Sequence, residues 1–344
     1  MRRVLSVGAL LWLAGALGAW AALYTDYFSP TAELFLGLSL PIWAALGLIV
    51  GLWALAQRRG WVVMLALLCA IGAAYQHGLR LLSPDAPERG EDFSLLSWNI
   101  FSAHRGFARV LEEVLQYRPD LILLQEVYNA DGDLARRDPL RYGDFRQALR
   151  AAGYYVAFAP DQEQPWGAYG LLIASRWPLE AVRRLDLAGR IGVGIVADVR
   201  IGNHPLRLIG VHLYTTGQEK PWRGRSSWSR WRTWLRQMQE GYMRREAELR
   251  ELLDIIRRSP YPVLVGGDFN TTPFSRHYVL LSRWLGDAHR HAGRGLGATY
   301  STSKPLLRID YQWFSSGLRP LEMRVLPDRA SDHRPLLARW IFEP

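Results

Sequence analysis

The sequence is short of cysteine throughout and short of charge at its start. A single Cys among 344 residues excludes a disulfide within the chain. Between Val4 and Leu79 the only acidic or basic residues are Asp26, Glu33, Arg58 and Arg59, which excludes an ordinary water-facing surface there. No small-residue cleavage site follows Arg2 and Arg3 before further apolar runs arrive, which argues against a removable signal peptide. There is no internal repeat, and no Cys/His cluster of the kind that holds zinc.

The apolar content is front-loaded. Residues 4–24, 34–56 and 61–79 are each about as long as the roughly 20 apolar residues a helix needs to cross a bilayer. Gly8, Gly15, Gly47, Gly51 and Gly72 suit close helix packing in lipid, and Tyr24, Tyr27, Trp53 and Trp61 lie near span ends, where interfacial aromatics gather. The expectation is a three-helix transmembrane region over residues 1–82, a Pro/Gly-containing linker over 83–91 and a soluble α/β domain over 92–344. Arg2, Arg3, Arg58 and Arg59 fall on one side of the spans, and the loop from Tyr24 to Glu33 carries no Lys or Arg. The positive-inside rule then puts the N-terminus in the cytoplasm and the domain on the extracytoplasmic face of the cytoplasmic membrane. Arg80 is a mild counter-signal.

The domain opens with a strand over 93–99, and Phe107, Val110, Leu111, Val114 and Leu115 follow a helical period that Pro119 ends. A buried strand over 120–126 ends in a carboxylate, and further strands are expected over 154–159, 170–175, 194–200 and 206–213. A long helical region runs to about Arg258, followed by strands over 263–266, 309–314 and 336–341. Periodicity leaves α/β and α+β both open.

Polar residues stand repeatedly where an apolar strand runs out: Asn99, Glu126, His212, Asp268 with Asn270, Asp310, and Asp332 with His333. Each has a bland reading: Asp268 after two glycines as a turn residue, His212 as a structural histidine. Together they give the ends of rigid strands a set of carboxylates, carboxamides and imidazoles suited to attack on a phosphate. Glu126 and Asp332 offer hard oxygen ligands for Mg²⁺ (Mn²⁺ is the alternative), with Asn99 supplying another or holding a ligating water. Asp310 can fix the tautomer of His333.

The motifs Ser97-Trp98-Asn99, Leu124-Gln125-Glu126, Val211-His212-Leu213, Gly266-Gly267-Asp268-Phe269-Asn270 and Ser331-Asp332-His333, in that order, resemble those of the endonuclease/exonuclease/phosphatase superfamily. The resemblance implies a DNase I-like, four-layered α/β-sandwich of two packed mixed sheets flanked by helices. It also implies that Glu126 is the main metal carboxylate with Asn99 beside it, and that His333 paired to Asp310 activates water. Asp268 and Asn270 would position the nucleophile and a phosphate oxygen, His212 would be a second active-site histidine, and Asp332 would join the metal or histidine network.

The same chemistry serves several substrates. An insertion over about 214–246 contains Trp222, Trp228, Trp231 and Trp234 with Arg223, Arg225, Arg230, Arg232 and Arg236. It reads as a lipid-gripping helix, with Trp231, Trp234 and Arg230 as contacts, as a helix packed on the anchor or core, or as a nucleic-acid groove. The expected partners are therefore the bilayer and a phospholipid, sphingolipid or lipid-linked phosphate. The alternatives are an extracytoplasmic DNase and a non-catalytic membrane scaffold.

Overall fold

The structure is a computed structural model; it describes the chain apart from residues 1, 26–29, 57–59, 78–91, 217–226, 304, 328–329 and 344. The linker of residues 83–91, together with Trp222, Arg223, Arg225, Arg58 and Arg59, lies outside the described residues. Two compact units emerge, and they do not follow chain order: residues 216–243 and 271–283 join residues 1–79, and the remainder forms the second unit.

In the first unit three helices are α1 (Arg2–Tyr24), α2 (Pro30–Ala56) and α3 (Gly60–His77). α1 and α2 pack by placing a tryptophan of each over a glycine of the other. A Cβ added to Gly15 would lie 2.4 Å from the Trp43 ring, and one on Gly47 2.7 Å from Trp12. Both indoles are satisfied inside the pair, Trp12 Nε1 donating to Trp43 O at 2.8 Å and Trp43 Nε1 to Ser39 Oγ at 3.0 Å. The outward faces are apolar too, with Ile49, Leu52, Leu55, Leu68 and Ile71 exposed. Among the described residues, two helices carry an 18-residue apolar window long enough to cross a membrane, Ser39–Ala56 and Gly60–His77. Over the side chains described in α1, the first expected span contributes the apolar stretch Ala9–Tyr24.

The second unit is a sandwich. One mixed sheet has the order β11-β12-β1-β2-β4-β3, built from β1 (Asp92–Asn99), β2 (Leu121–Ala130), β3 (Tyr155–Gln164), β4 (Gly167–Ser175), β11 (Leu318–Val325) and β12 (Leu336–Phe342). The other has the order β5-β6-β7-β8-β10-β9, from β5 (Leu179–Leu187), β6 (Arg190–Ile201), β7 (His204–His212), β8 (Val263–Asp268), β9 (Gly286–Asp287) and β10 (Asp310–Phe314). Short helices α4 (Phe107–Gln116), α5 (Gly132–Arg137), α6 (Phe145–Ala151) and α9 (Ala288–Ala292) belong to the same unit. Helix α7 (Trp228–Arg257) begins in the first unit and ends in the second, and α8 (Arg276–Ser282) lies in the first.

The apolar run at the start of β2 explains why that strand is central. Leu121 and Leu123 enter the core between the sheets with Leu95, Ile173, Ile195, Leu208 and Leu264, whereas Ile122 and Leu124 enter the layer with Val110, Val114, Phe145 and Leu149 of α4 and α6. A strand buried on both faces needs no polar alternation. β5 and β11 escape the sequence reading for local reasons. β5 is an edge strand whose residues 180–184 are exposed, and β11 is an edge strand with Pro320 and a register shift within it. The observed β3 runs five residues past the expected end, to Gln164, through a bulge between Pro160 and Gln162.

Candidate active site

Register alone assembles half of the site. β7 runs parallel to β8 with His212 opposite Asp268, and β10 runs antiparallel to β8 with Asp310 opposite Asp268. His212, Asp268 and Asp310 therefore stand in a row across three neighbouring strands. Gly267 makes this approach possible: its φ is +148°, and an added Cβ would meet Val211 O at 2.0 Å.

The facing sheet supplies the rest. Asn99 ends β1, and Glu126 sits where the register of β2 shifts between Leu124 and Val127, with φ of 53°. Such a bulge in a non-glycine residue re-aims one side chain out of the strand's alternation and is held only where the surroundings impose it. Asn99 joins the two sheets: its Nδ2 donates to Glu126 Oε1 at 2.9 Å and to Asp268 Oδ2 at 3.1 Å. Its Oδ1 accepts from Phe101 N at 3.0 Å, which fixes the orientation of the amide. Asn99 thus holds two carboxylates through its nitrogen, while its oxygen already has a backbone donor.

His333 is brought in by the segment between β11 and β12. Ser331 Oγ donates to Asn99 O at 2.8 Å, and Trp98 Nε1 donates to His333 O at 2.9 Å, so both ends of this motif hang on β1. Nδ1 of His333 lies 2.9 and 3.1 Å from the two oxygens of Asp310, which makes Nδ1 the protonated nitrogen facing the carboxylate. Nε2 of His333 is 3.8 Å from Asp268 Oδ2, and Nε2 of His212 is 3.7 Å from the same oxygen and 3.6 Å from Glu126 Oε1. These gaps are too long for direct hydrogen bonds. Among the described residues His212 Nε2 is buried with no hydrogen-bond partner.

The electrostatics are those of a cation site in a basic protein. Burial raises the Asp268 carboxyl, and the Asp310 charge beside it adds to this, to about 6. Burial likewise raises Asp332, with Glu126 contributing against the help of His333. For His333 burial works against the charged form, but Asp310 and then Asp268 outweigh it and push the imidazole up to about 10. Ligating atoms of Asp268, Asp310 and His333 lie within 4.8 Å of one another. The residues present fit a hard divalent ion: carboxylates crowd the cleft in a chain whose net charge is +10.

Asn270, also at positive φ (48°), donates its backbone N–H to Asp268 Oδ1 at 2.9 Å and its Nδ2 to Leu213 O at 3.0 Å and Thr215 Oγ1 at 3.1 Å. Its amide nitrogen therefore steadies the exit of β7. Two groups of residues escaped the sequence reading. Asp161, on the β3 bulge, lines a cavity of about 260 Å³ with Glu126, His212 and Ser102; burial raises its carboxyl and His212 opposes that. Its signal was available, a carboxylate where an apolar strand becomes polar. Glu248 of α7 takes Arg190 Nη1 on one oxygen and Tyr214 N on the other, both at 2.8 Å, while Arg190 Nη2 holds His212 O at 2.9 Å. No local pattern marks that clamp, because its members come from three distant segments.

Of the insertion residues, Trp231 and Trp234 are half-buried in the first unit and meet edge to face at 5.8 Å, Arg230 is half-buried beside them, and Trp228 is 70% exposed.

Among solved structures the human Nocturnin catalytic domain with bound sulfate shares 19% identity and a TM-score of 0.52, covering 78% of this chain and 99% of that one. An endonuclease/exonuclease/phosphatase protein from Beutenbergia cavernae gives 20% and 0.54, covering 73% and 72%. D. rerio TDP2 complexed with single-strand DNA product gives 17% and 0.50, covering 73% and 100%. These likenesses establish the fold. A search of the curated proteins finds no match. The model of the Endonuclease/Exonuclease/phosphatase family matches residues 96–333, most of the chain and every site residue above. The chain belongs to the Endonuclease/Exonuclease/phosphatase family and is a metal-dependent phosphoester hydrolase.

Proposed function

We propose that this hydrolase cleaves phosphodiesters of a nucleic acid while held to the cytoplasmic membrane, with its catalytic domain on the extracytoplasmic side. The observation that carries the chemistry is the Asp310–His333 pair aimed at Asp268, with His212 Nε2 opposite and without a hydrogen-bond partner among the described residues. Asp310 orients His333 so that Nε2 can take a proton from water. Asp268 lies between the two imidazoles and can hold that water, and His212 can donate to a phosphoryl oxygen or the leaving oxygen. In the metal-free protein His333 keeps its proton at neutral pH, so the base role requires that the surrounding carboxylate charge be compensated. Mg²⁺ (or Mn²⁺) held by Glu126, with Asn99 and Asp332 beside it, would supply that charge and polarise the phosphoryl group.

The nucleic-acid reading draws support from the DNA-product complex of a protein of the same fold and from the net charge of +10. The membrane reading draws support from the exposed apolar faces of α2 and α3. One observation favours a phospholipid or sphingolipid instead: Trp228 is exposed on the half of α7 that shares a unit with α1–α3. Purified full-length protein should be given a single-stranded oligonucleotide and, separately, vesicles of anionic phospholipid with sphingomyelin, each with Mg²⁺ and with EDTA. Metal-dependent oligonucleotide cleavage is expected. Headgroup release from vesicles with the oligonucleotide left intact would replace this reading by the lipid one. Protease added to intact spheroplasts should remove the domain; protection until permeabilisation overturns the orientation.

A further inference from the structure

We propose a second phosphate-binding site on the outer side of the segment that carries His333. That segment is extended at His333, which bridges Tyr300, so His333 and Arg334 send their side chains to opposite sides. The backbone N–H of Arg334 is fixed on Thr299 O at 2.9 Å. Its side chain enters a separate cavity of about 440 Å³, lined also by Arg294, Arg324, Glu322, Leu296 and Met323. None of these residues lines the cleft that holds Glu126, Asp161 and His212.

Three features of the cavity point to an oxyanion. Three guanidiniums face one carboxylate, Glu322, which is 3.9 Å from Arg324 and leaves a net charge of +2. The Nε of Arg334 is buried with no hydrogen-bond partner among the described residues, an N–H taken from water and given nothing in return. Arginine presents its donors as a planar fork that matches phosphate oxygens. Leu296 and Met323 add apolar floor, which suits the carbon skeleton of an ester beyond its phosphate. The ligand is thus a phosphate group, from either of two sources: inorganic phosphate, or a further phosphate of an extended substrate whose reacting bond lies across the segment at His333.

Binding can be read without turnover, so this inference fails separately from the nucleic-acid reading. Full-length protein stripped with EDTA is titrated with inorganic phosphate by calorimetry. One saturable site is expected, weakened at least tenfold in R334Q and in the double variant R294Q/R324Q, and unchanged in E126Q. Arg294 and Arg324 are exposed, so that double variant tests the site even where R334Q fails to fold. Absence of saturable binding, affinity within twofold of the parent in the double variant, or loss in E126Q alone overturns the proposal. The source is then read from turnover by the double variant. A KM raised for a long oligonucleotide but not for a dinucleotide identifies a substrate phosphate, and loss of inhibition by phosphate with KM unchanged identifies the free ion.

Discussion

Asp310→Asn separates two uses of the buried Asp268, Asp310 and His333 group: handling a proton, or holding an ion. Asp310 receives Nδ1–H of His333 on both oxygens, at 2.9 and 3.1 Å, and both residues are buried. The amide keeps the volume but loses the charge, and it offers one acceptor beside a donor, so the imidazole can turn to the wrong tautomer. A missing or misoriented general base costs of order 10²–10⁴ in turnover. That range is about 3–5 kcal/mol in the barrier. Because Asp310 is not among the residues proposed to hold the metal, apparent metal affinity should stay within about threefold, a change of under about 1 kcal/mol. Initial rates with a soluble phosphodiester across a Mg²⁺ titration give both quantities at once. Turnover within tenfold of the parent would refute the orienting role. Recovery of full turnover at high Mg²⁺ would make Asp310 a metal ligand instead.

Four further outcomes are expected. Glu126→Gln should raise the Mg²⁺ concentration needed for half-maximal activity, since the amide keeps the bulged shape without the charge; activity without added metal would rule Glu126 out as the ion's anchor. Metal binding at pH 8 should release protons, because His333 holds its proton up to about 10 and a cation nearby lowers that value; calorimetry in buffers of different ionisation enthalpy reads the release, which should vanish as pH rises through about 10. Asp144→Ala should cost about 1 kcal/mol in urea unfolding, because Asp144 caps α6 at the N–H groups of Arg146 and Gln147. Burial works against the ionised Asp144 carboxyl but Arg146 outweighs it and holds it below 3.8, so this stability is full above pH 3.8 and lost as pH falls through the depressed value; an unchanged difference at pH 2 would contradict the assignment. Gly267→Ala should abolish activity and lower the melting temperature, since the new Cβ meets Val211 O at 2.0 Å in a backbone conformation with φ of +148°; near-parental melting would mean that β7 and β8 can part at the site.

Much of the domain was legible because its strands declare themselves one at a time. The runs at residues 121–124 and 263–265 are apolar enough to read as buried strands, and each leads into polar residues, Gln125 with Glu126 in the first and Asp268 in the second. β5 and β11 were hidden because an edge strand with exposed or proline-containing sequence satisfies no periodic test. The apolar N-terminal region was legible in part. Apolar length makes α2 and α3 long enough to cross a membrane, while the pairing of Trp12 with Gly47 and of Trp43 with Gly15 depends on how the helices pack.

The sequence by itself determined which groups are available: carboxylates, amides and imidazoles at strand ends, in an order that marks the family. Only the tertiary structure decided which of them stand together. Registration of β7 and β10 on β8 sets His212 and Asp310 either side of Asp268. The bulge at Glu126 and the amide of Asn99 then close the second sheet onto the first. Asp161, Glu248 and Arg190 acquire roles only there, because residues far apart in the chain become neighbours through strand pairing. The charge each then feels comes from that burial and crowding, which no local sequence pattern encodes.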